Sequence, residues 1–416
     1  MELWHIRGGN RLSGALSVQG SKNASLPMLA ASILAPQRCE LYHVPRLRDV
    51  DAALRILRHL GCEAEQQGNA VYIDSTGLSG CAVPHSLMAE MRSSVIFMGA
   101  LLSRCGEARL SMPGGCRLGR RPIDLHLAAL RKMGAQIEEE GGELLCRPSK
   151  LHGEEIRLSF PSVGATENIM LAACSARGET VIRGAAREPE IAALQAFLRL
   201  LGADVTGAGT DTVHIRGFHS TGSAVCRVLP DRIAASTFAC AAAAAGGDVE
   251  LRGVEPGQFS TVLHFLNEAG CDIITKTHSV RVRSDRRLRA PGRVVTEPYP
   301  GFPTDAQPLL MAALLRAEGT TCIRETIFEN RFRQVPELRR LGADIVCEGR
   351  TAWIRGVKTL HGAPLNATDP RGGAAMIVAG LSAEGETVIC DEGHVRRGYD
   401  GFDAALRALG ADVLLE

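Results

Sequence analysis

One pattern, repeated six times, limits what this chain can fold into. An apolar stretch at helical spacing ends in Gly followed by Ala or Cys, at Gly61, Gly134, Gly202, Gly270, Gly342 and Gly410. Successive copies lie 73, 68, 68, 72 and 68 residues apart in a chain of 416. A period held along a whole chain marks a repeat architecture. Leu54, Leu57 and Leu60 precede the first glycine, and Leu194, Phe197 and Leu201 the third, each set on one helical face. The glycine then supplies a left-handed C-cap. A strand follows, often with a second after a short polar turn, as in Ala203-Asp-Val then Asp211-Thr-Val-His-Ile, or Ala343-Asp-Ile-Val then Ala352-Trp-Ile.

Between these landmarks lies a second helix of small apolar residues ending at Gly: Asn168 to Ala176, Ala234 to Ala245, Leu309 to Ala317. Strands such as Glu179-Thr-Val-Ile and Thr320-Thr-Cys-Ile come after it. The unit reads βαβαββ, which places the chain in the α/β class as α+β repeats. Six units suggest two domains of three, with Arg227-Val-Leu-Pro-Asp-Arg as the crossover near the midpoint. A single solenoid is the alternative, but its repeats usually run about 20 to 50 residues.

Composition narrows the function classes. Only 4% of residues are aromatic against 45% hydrophobic, so aliphatic side chains and alanine fill the core. Formal net charge is +1, from 47 basic and 46 acidic residues. That balance leaves no footprint for nucleic acid or an anionic membrane, and any anion site must be a local cluster of Arg and Lys. Met-Glu-Leu-Trp-His-Ile-Arg at the start has no apolar leader core. The stretch from Cys240 to Ala245 is too short to span a bilayer. Thirteen cysteines form an odd set without a CxxC pair, and most sit in apolar runs, as Cys174, Cys240 and Cys322 do. The expectation is a reducing cytoplasm and no disulfide framework. Histidines are dispersed, so neither a metal nor a cofactor is expected.

Several residues stand out on chemistry. Cys116 lies in Pro113-Gly-Gly-Cys-Arg-Leu-Gly-Arg-Arg-Pro, with Arg117, Arg120 and Arg121 around the thiol. Positive surroundings lower a thiol pKa and make it reactive. Lys22, in Gly-Ser-Lys-Asn, precedes an apolar helix. A solvated lysine is one reading of it, but a cation at a helix start is mildly unfavourable, which tilts toward an anion partner. Asp305 follows Phe302-Pro-Thr, where Thr304 or Asp305 would suit a helix cap. Arg331, Arg371 and Arg397 read singly as surface arginines, and Val163 and Ile327 read as core.

Taken together in order, ten segments carry a resemblance. They are Gln19-Gly-Ser-Lys-Asn-Ala, Met91-Arg-Ser-Ser, Pro113-Gly-Gly-Cys, Arg121-Pro-Ile-Asp-Leu-His, Pro161-Ser-Val-Gly-Ala-Thr-Glu-Asn, Ala186-Arg-Glu-Pro-Glu-Ile, Leu229-Pro-Asp-Arg, Phe302-Pro-Thr-Asp, Glu325-Thr-Ile-Phe-Glu-Asn-Arg-Phe and Arg397-Gly-Tyr. The chain resembles the enolpyruvyl transferases, specifically the UDP-N-acetylglucosamine 1-carboxyvinyltransferases that open peptidoglycan synthesis. The resemblance implies a two-domain inside-out α/β barrel of six βαβαββ units, three per domain. One domain would span 22–229 and the other 1–21 with 230–416, with the active site in the cleft between them.

It also implies roles. Cys116 becomes the general acid toward the methylene of phosphoenolpyruvate, on a lid loop, and the cysteine that the epoxide fosfomycin alkylates. Lys22, Arg121, Arg371 and Arg397 surround the phosphate and carboxylate of that donor. Asp305 lies near the attacking sugar hydroxyl, as base or as a later proton acceptor, with Arg331 and Asp369 beside the reacting centre. Asn23, Arg92, Arg121, Pro122, Ile123, Asp124, Leu125, Ser162, Val163, Asp305 and Ile327 would hold UDP-N-acetylglucosamine. Glu188, Asp231 and His394 are supporting residues. Pro370 departs from the family, which commonly has leucine there. Proline removes an N–H and restrains Asp369, so a displaced Asp369 and Arg371 are expected, with rate and affinity affected. Two rival readings share these features: a shikimate-pathway enolpyruvyl transferase, and a catalytically idle paralogue that binds UDP-sugar.

Overall fold

The computed structural model describes all residues except 112–122, 148–149, 219–223 and 286, and the side chain of Arg92. The six landmark glycines are helix ends of a single design. Their φ angles are +96, +100, +97, +102, +89 and +94°, a region that side chains disfavour. Each glycine N–H reaches the carbonyl three residues back, as Gly61 does to Arg58 at 3.0 Å and Gly410 to Arg407 at 2.9 Å. At Cys62, Ala135, Cys271, Ala343 and Ala411 the next N–H reaches five residues back. These two bonds are the Schellman motif, which satisfies carbonyls the helix end would orphan.

Among the described residues the repeats build six four-stranded sheets. In one, Glu155–Arg157 runs parallel to Thr180–Arg183 with Ile156 opposite Ile182, and Thr180–Arg183 pairs antiparallel with Thr212–Phe218. Ala203–Thr206 completes its edge. The helix Val163–Ala173 makes the crossover that a parallel pair requires, and Pro189–Leu200 leads to the hairpin. Among the described residues three sheets draw a strand from far along the chain, one of them by setting Leu12–Ser17 parallel to Gly247–Arg252. Glu2–Arg7 lies between Glu386–Asp391 and Asp412–Leu415, and Ala224–Arg227 lies parallel to Arg38–Tyr42. The α/β class and the six-unit reading match these sheets.

The chain divides into two compact units. One comprises Met1–Gln19 with Pro230–Glu416, and the other the described residues of 20–229. Each holds three sheets around three buried helices. These are Lys22–Ala31, Phe97–Cys105 and Val163–Ala173 in one, and Arg232–Ala245, Gln307–Ala313 and Pro370–Gly380 in the other. Such helices are apolar on nearly every face because they have no wet side. Small residues let them approach closely: a Cβ at Gly99 would overlap the Asn168 carbonyl.

Some helix starts differ from the sequence reading. Val163–Ala173 begins five residues before Asn168, at an N-cap where Ser162 Oγ accepts the Ala165 N–H at 3.3 Å. Thr166, Glu167 and Asn168 are polar yet buried, so apolar periodicity misses that turn. Cys322 is half-buried rather than core, and Cys105 is exposed. Burial pushes the Cys174 thiol up to about 12 and the Cys62 thiol to about 11, which leaves them protonated core residues. Among the described residues no helix is long and apolar enough to cross a membrane.

Candidate active site

In the unit containing 230–416, Asp305 lies just before the helix Gln307–Ala313 and does not cap it. The N-cap is Ala306, without a side-chain bond. Instead, Asp305 Oδ1 faces two guanidinium groups, Arg331 Nη2 and Arg371 Nε, both at 3.3 Å. Thr304 donates to Glu325 Oε2 at 3.0 Å, so it does not cap the helix either. Arg331 is fully buried. Its Nε donates to the Thr304 carbonyl at 3.1 Å and its Nη1 stands 3.7 Å from Asp369 Oδ1. Neither arginine is the surface residue that its isolated position suggests.

Asp369 caps the helix Pro370–Gly380, accepting the Arg371 and Gly372 N–H groups on Oδ1 at 3.0 and 3.1 Å. Pro370 is the first helical residue, where a missing N–H costs nothing and the fixed φ suits the helix. The departure from the family is therefore accommodated: both amides that Asp369 needs lie beyond the proline. Behind this cap, Arg371 lies over the Tyr399 ring at 5.5 Å. Burial lowers the Arg371 pKa, but Tyr399, Asp305 and Asp231 raise it more, and the net direction is up. Among the described residues Arg371 Nη1 is buried without a hydrogen-bond partner. A Cβ on Gly398 would stand 2.9 Å from it, so that glycine leaves the guanidinium its room.

Arg397 ends a short 3-10 turn, Val395–Arg397, and is half-buried. Ile327 is half-buried too, and its N–H donates to Glu325 Oε1 at 2.8 Å. Glu325 thus ties Ile327 to Thr304, the neighbour of Asp305. Asp231 caps Arg232–Ala245, accepting two N–H groups at 2.9 and 3.0 Å. Glu188 stands at the N-cap of Pro189–Leu200, and His394 donates its backbone N–H to Asp391 at 2.7 Å.

In the 20–229 unit, Lys22 is the first residue of the helix Lys22–Ala31. Its Nζ stands 3.1 Å from Asp49 Oδ2, with the side chains 14% and 5% exposed. Lys22 is therefore a sequestered, paired cation rather than a solvated one. Asn23 is half-buried beside it. Ile123, Asp124 and Leu125 open the helix Asp124–Lys132, with Ile123 and Leu125 packed on the core and Asp124 exposed. Ser162 and Val163 form the start of Val163–Ala173. Next to Leu125, His126 accepts from Asn168 of that helix at 2.9 Å, and this bond joins the two segments. Cys116, Arg121 and Pro122 lie outside the described residues, as does the side chain of Arg92.

Asp49, Glu325, His126 and Asn168 were missed as participants. Their partners lie 27, 21 and 42 residues away in sequence for Asp49, Glu325 and the His126–Asn168 pair, so no local spacing marks them. Among the described residues no group of His, Cys, Asp and Glu is placed to hold a metal.

Comparison with known proteins agrees along the full chain. The family model of EPSP synthase (3-phosphoshikimate 1-carboxyvinyltransferase) matches residues 6–406. UDP-N-acetylglucosamine 1-carboxyvinyltransferase 2 of Caldanaerobacter subterraneus subsp. tengcongensis is 46% identical, over 100% of this chain and 99% of its own length. UDP-N-acetylglucosamine 1-carboxyvinyltransferase 1 of Symbiobacterium thermophilum is 48% identical, over 99% of this chain and 95% of its own. The crystal structure of the enolpyruvyl transferase NikO from Streptomyces tendae superposes with a TM-score of 0.90 at 26% identity, covering 100% of this chain and 98% of that one. EPSP synthase from Acinetobacter baumannii, at 21% identity, shares the fold with a TM-score of 0.77 over 100% of both chains. With six repeats, two units and these matches end to end, the chain belongs to the EPSP synthase family and, within it, to the UDP-N-acetylglucosamine 1-carboxyvinyltransferases.

Proposed function

We propose that this chain transfers the enolpyruvyl group of phosphoenolpyruvate to the 3′-hydroxyl of UDP-N-acetylglucosamine, with release of phosphate, as the committing step of peptidoglycan synthesis. The observation that carries this reading is the arrangement at Asp305: a carboxylate held by two buried arginines, one of which keeps an Nη1 without a partner among the described residues. A buried donor without a partner is costly, and an anionic substrate oxygen would relieve it. The names of the relatives supply the acceptor.

The reaction runs by addition and elimination. The sugar hydroxyl oxygen bonds to the central carbon of phosphoenolpyruvate, its proton passing to a base, while the methylene carbon gains a proton from Cys116. The tetrahedral adduct then loses a proton from the methyl group so formed, which restores the methylene as its C–O bond to phosphate breaks. Asp305 acts on the hydroxyl proton or on the later methyl proton of the adduct. Lys22, Arg121, Arg371 and Arg397 offset the charge of the donor, Arg331 and Asp369 hold Asp305 in place, and the remaining segments seat the nucleotide sugar. Residues 22–229 and residues 1–21 with 230–416 act as two domains that contribute to one reaction. Both substrates are small molecules of the cytoplasm, which is where the enzyme works.

Phosphate release from the purified protein tests this, with each substrate omitted in turn. Release should require phosphoenolpyruvate and UDP-N-acetylglucosamine together and vanish in Asp305→Ala. Release with shikimate 3-phosphate instead would assign the other branch of the family. An idle paralogue would bind the nucleotide sugar and release nothing, but Pro370, a departure in its favour, occupies a position that suits it.

A further inference from the structure

Gln19 is the last residue of its unit before the chain passes to Gly20, and it is half-buried. Its Oε1 accepts the Asp400 backbone N–H at 2.7 Å, and its Nε2 donates to the Gly398 carbonyl at 3.2 Å. A backbone N–H only donates and a carbonyl only accepts, so these two bonds fix which end of the amide is which. The Gln19 carbonyl accepts the Asp231 N–H at 2.9 Å. Residues 398–400 belong to no helix or strand, and backbone outside regular structure needs partners from elsewhere. The Gln19 amide supplies the acceptor and the donor that a neighbouring strand would.

The segments that Gln19 bonds are the ones that surround Arg371. A Cβ on Gly398 would stand 2.9 Å from Arg371 Nη1. Tyr399, between the two side-chain partners, places its ring 5.5 Å from that guanidinium. The Tyr399 hydroxyl lies 2.9 Å from Thr237 Oγ1, on the helix that Asp231 caps. Asp231 is also a carboxylate whose charge favours the Arg371 cation. Arg397 directly precedes Gly398, in a turn where the Gly398 and Tyr399 N–H groups reach the Val395 carbonyl at 2.9 and 3.1 Å. A shift of residues 398–400 would therefore reach both arginines.

We propose that Gln19 is a positioning residue for the donor: by holding Gly398–Asp400 it keeps Arg371 and Arg397 set for the phosphate and carboxylate of phosphoenolpyruvate. This rests on the proposed function, in which those two arginines meet the donor. Gln19 itself touches no substrate in this scheme. Its amide is uncharged, so it acts on geometry and adds no charge to the site. No local pattern in the sequence marks it, because its side-chain partners lie 379 and 381 residues further along. The coupling is reciprocal: whatever Gln19 contributes to donor affinity, bound donor returns as a tighter hold on residues 398–400.

The test compares wild type with Gln19→Met, which keeps the reach of the side chain and loses both of its bonds. Gln19→Met should raise the KM for phosphoenolpyruvate, and its Kd by titration calorimetry, about tenfold, as two lost hydrogen bonds allow. The KM for UDP-N-acetylglucosamine should stay within about twofold and the thermal midpoint near wild type. Donor KM and Kd equal to wild type in the folded variant would overturn the assignment. So would equal rises in both KM values with a lowered midpoint, the mark of a merely structural residue. Should Gln19→Met fail to fold, amide hydrogen exchange in the wild type decides. Saturating phosphoenolpyruvate should slow exchange at Asp400 about tenfold while the strand Asp272–Lys276 of the same unit keeps its rate, and an unchanged Asp400 refutes the hold. Wild type that binds phosphoenolpyruvate yet releases phosphate only with shikimate 3-phosphate, or not at all, would refute the proposed function, and the donor Kd would still decide Gln19. Wild type that does not bind phosphoenolpyruvate would refute both.

Discussion

Lys22 opens a helix where the backbone already carries partial positive charge, and Asp49 stands 3.1 Å away to offset it. Asp49 itself lies in the first turn of Arg48–His59, where a carboxylate is favoured. Each charge therefore makes the other tenable in a largely dry place. Asp49→Asn should raise the KM for phosphoenolpyruvate about tenfold or more through a loosened Lys22, leave UDP affinity near wild type, and be partly rescued by Asp49→Glu. Steady-state kinetics with each substrate varied checks the split. Lys22 was legible in sequence through its motif and its awkward position, and Asp49 was not, since only the fold brings the two helices together. Glu167 is a second residue that pattern reading passes over. Burial, then Glu190 and Glu188, hold its carboxyl well above the usual range. The folded state keeps this proton above pH 4.5 while the unfolded chain loses it, so stability contributed here declines as pH rises from there. Glu167→Gln should remove that decline, gaining on wild type in urea midpoint from pH 5 to pH 8. Parallel curves would show that the carboxyl ionises freely. His126 works in the opposite sense. Its pKa is lowered from 6.5 to about 4, so its contribution is present above pH 6.5 and lost as pH falls toward 4.

The helix endings show why the repeat could be read from sequence and the helix beginnings could not. A Schellman turn needs φ > 0 at one position, which in practice demands glycine, and that requirement writes the same letter six times. Helix starts are capped by Ser or Asp side chains, as at Ser162 and Asp231, or by no side chain, as at Glu188 and Ala306, so they leave no common mark. Two kinds of glycine should respond differently to alanine. Gly270 has φ +102° with nothing within 4 Å of a Cβ, so Gly270→Ala meets backbone strain alone and should cost about 1–2 kcal/mol in urea unfolding. At Gly356 a Cβ would overlap the Ala317 backbone carbonyl. That atom cannot rotate away, so Gly356→Ala should fail to give a cooperative unfolding transition. If both variants lost the same small amount, the close approach at Gly356 would be softer than its geometry.

At the level of the whole chain, the six units are not six consecutive pieces. The C-terminal sheet is completed by Glu2–Arg7, which lies inside it rather than at its edge, bonded to Glu386–Asp391 on one side and Asp412–Leu415 on the other. The period of about 70 residues read from the glycines counts helix ends, and for that reason it is blind to where each sheet recruits its strands. This closure has a consequence for the site. Trp4 on that strand is buried and its ring lies 6.1 Å from Phe402. Phe402 stacks on Tyr399 at 4.7 Å, and Tyr399 supports Arg371 at 5.5 Å. Trp4→Ala should therefore do two things together. It should cost about 3–5 kcal/mol of stability, as large aromatic truncations in cores do, and it should raise the KM for phosphoenolpyruvate by slackening the ring beneath Arg371. UDP affinity, which is proposed to depend on the other unit, should change little. Trp353, the second tryptophan, is 36% exposed, so in a Trp353→Phe background the emission of Trp4 alone reports whether this strand leaves before or with the rest of its unit. A red shift in urea that precedes the loss of helical circular dichroism would make the N-terminal strand a separately opening piece, and a coincident shift would make it part of the cooperative core.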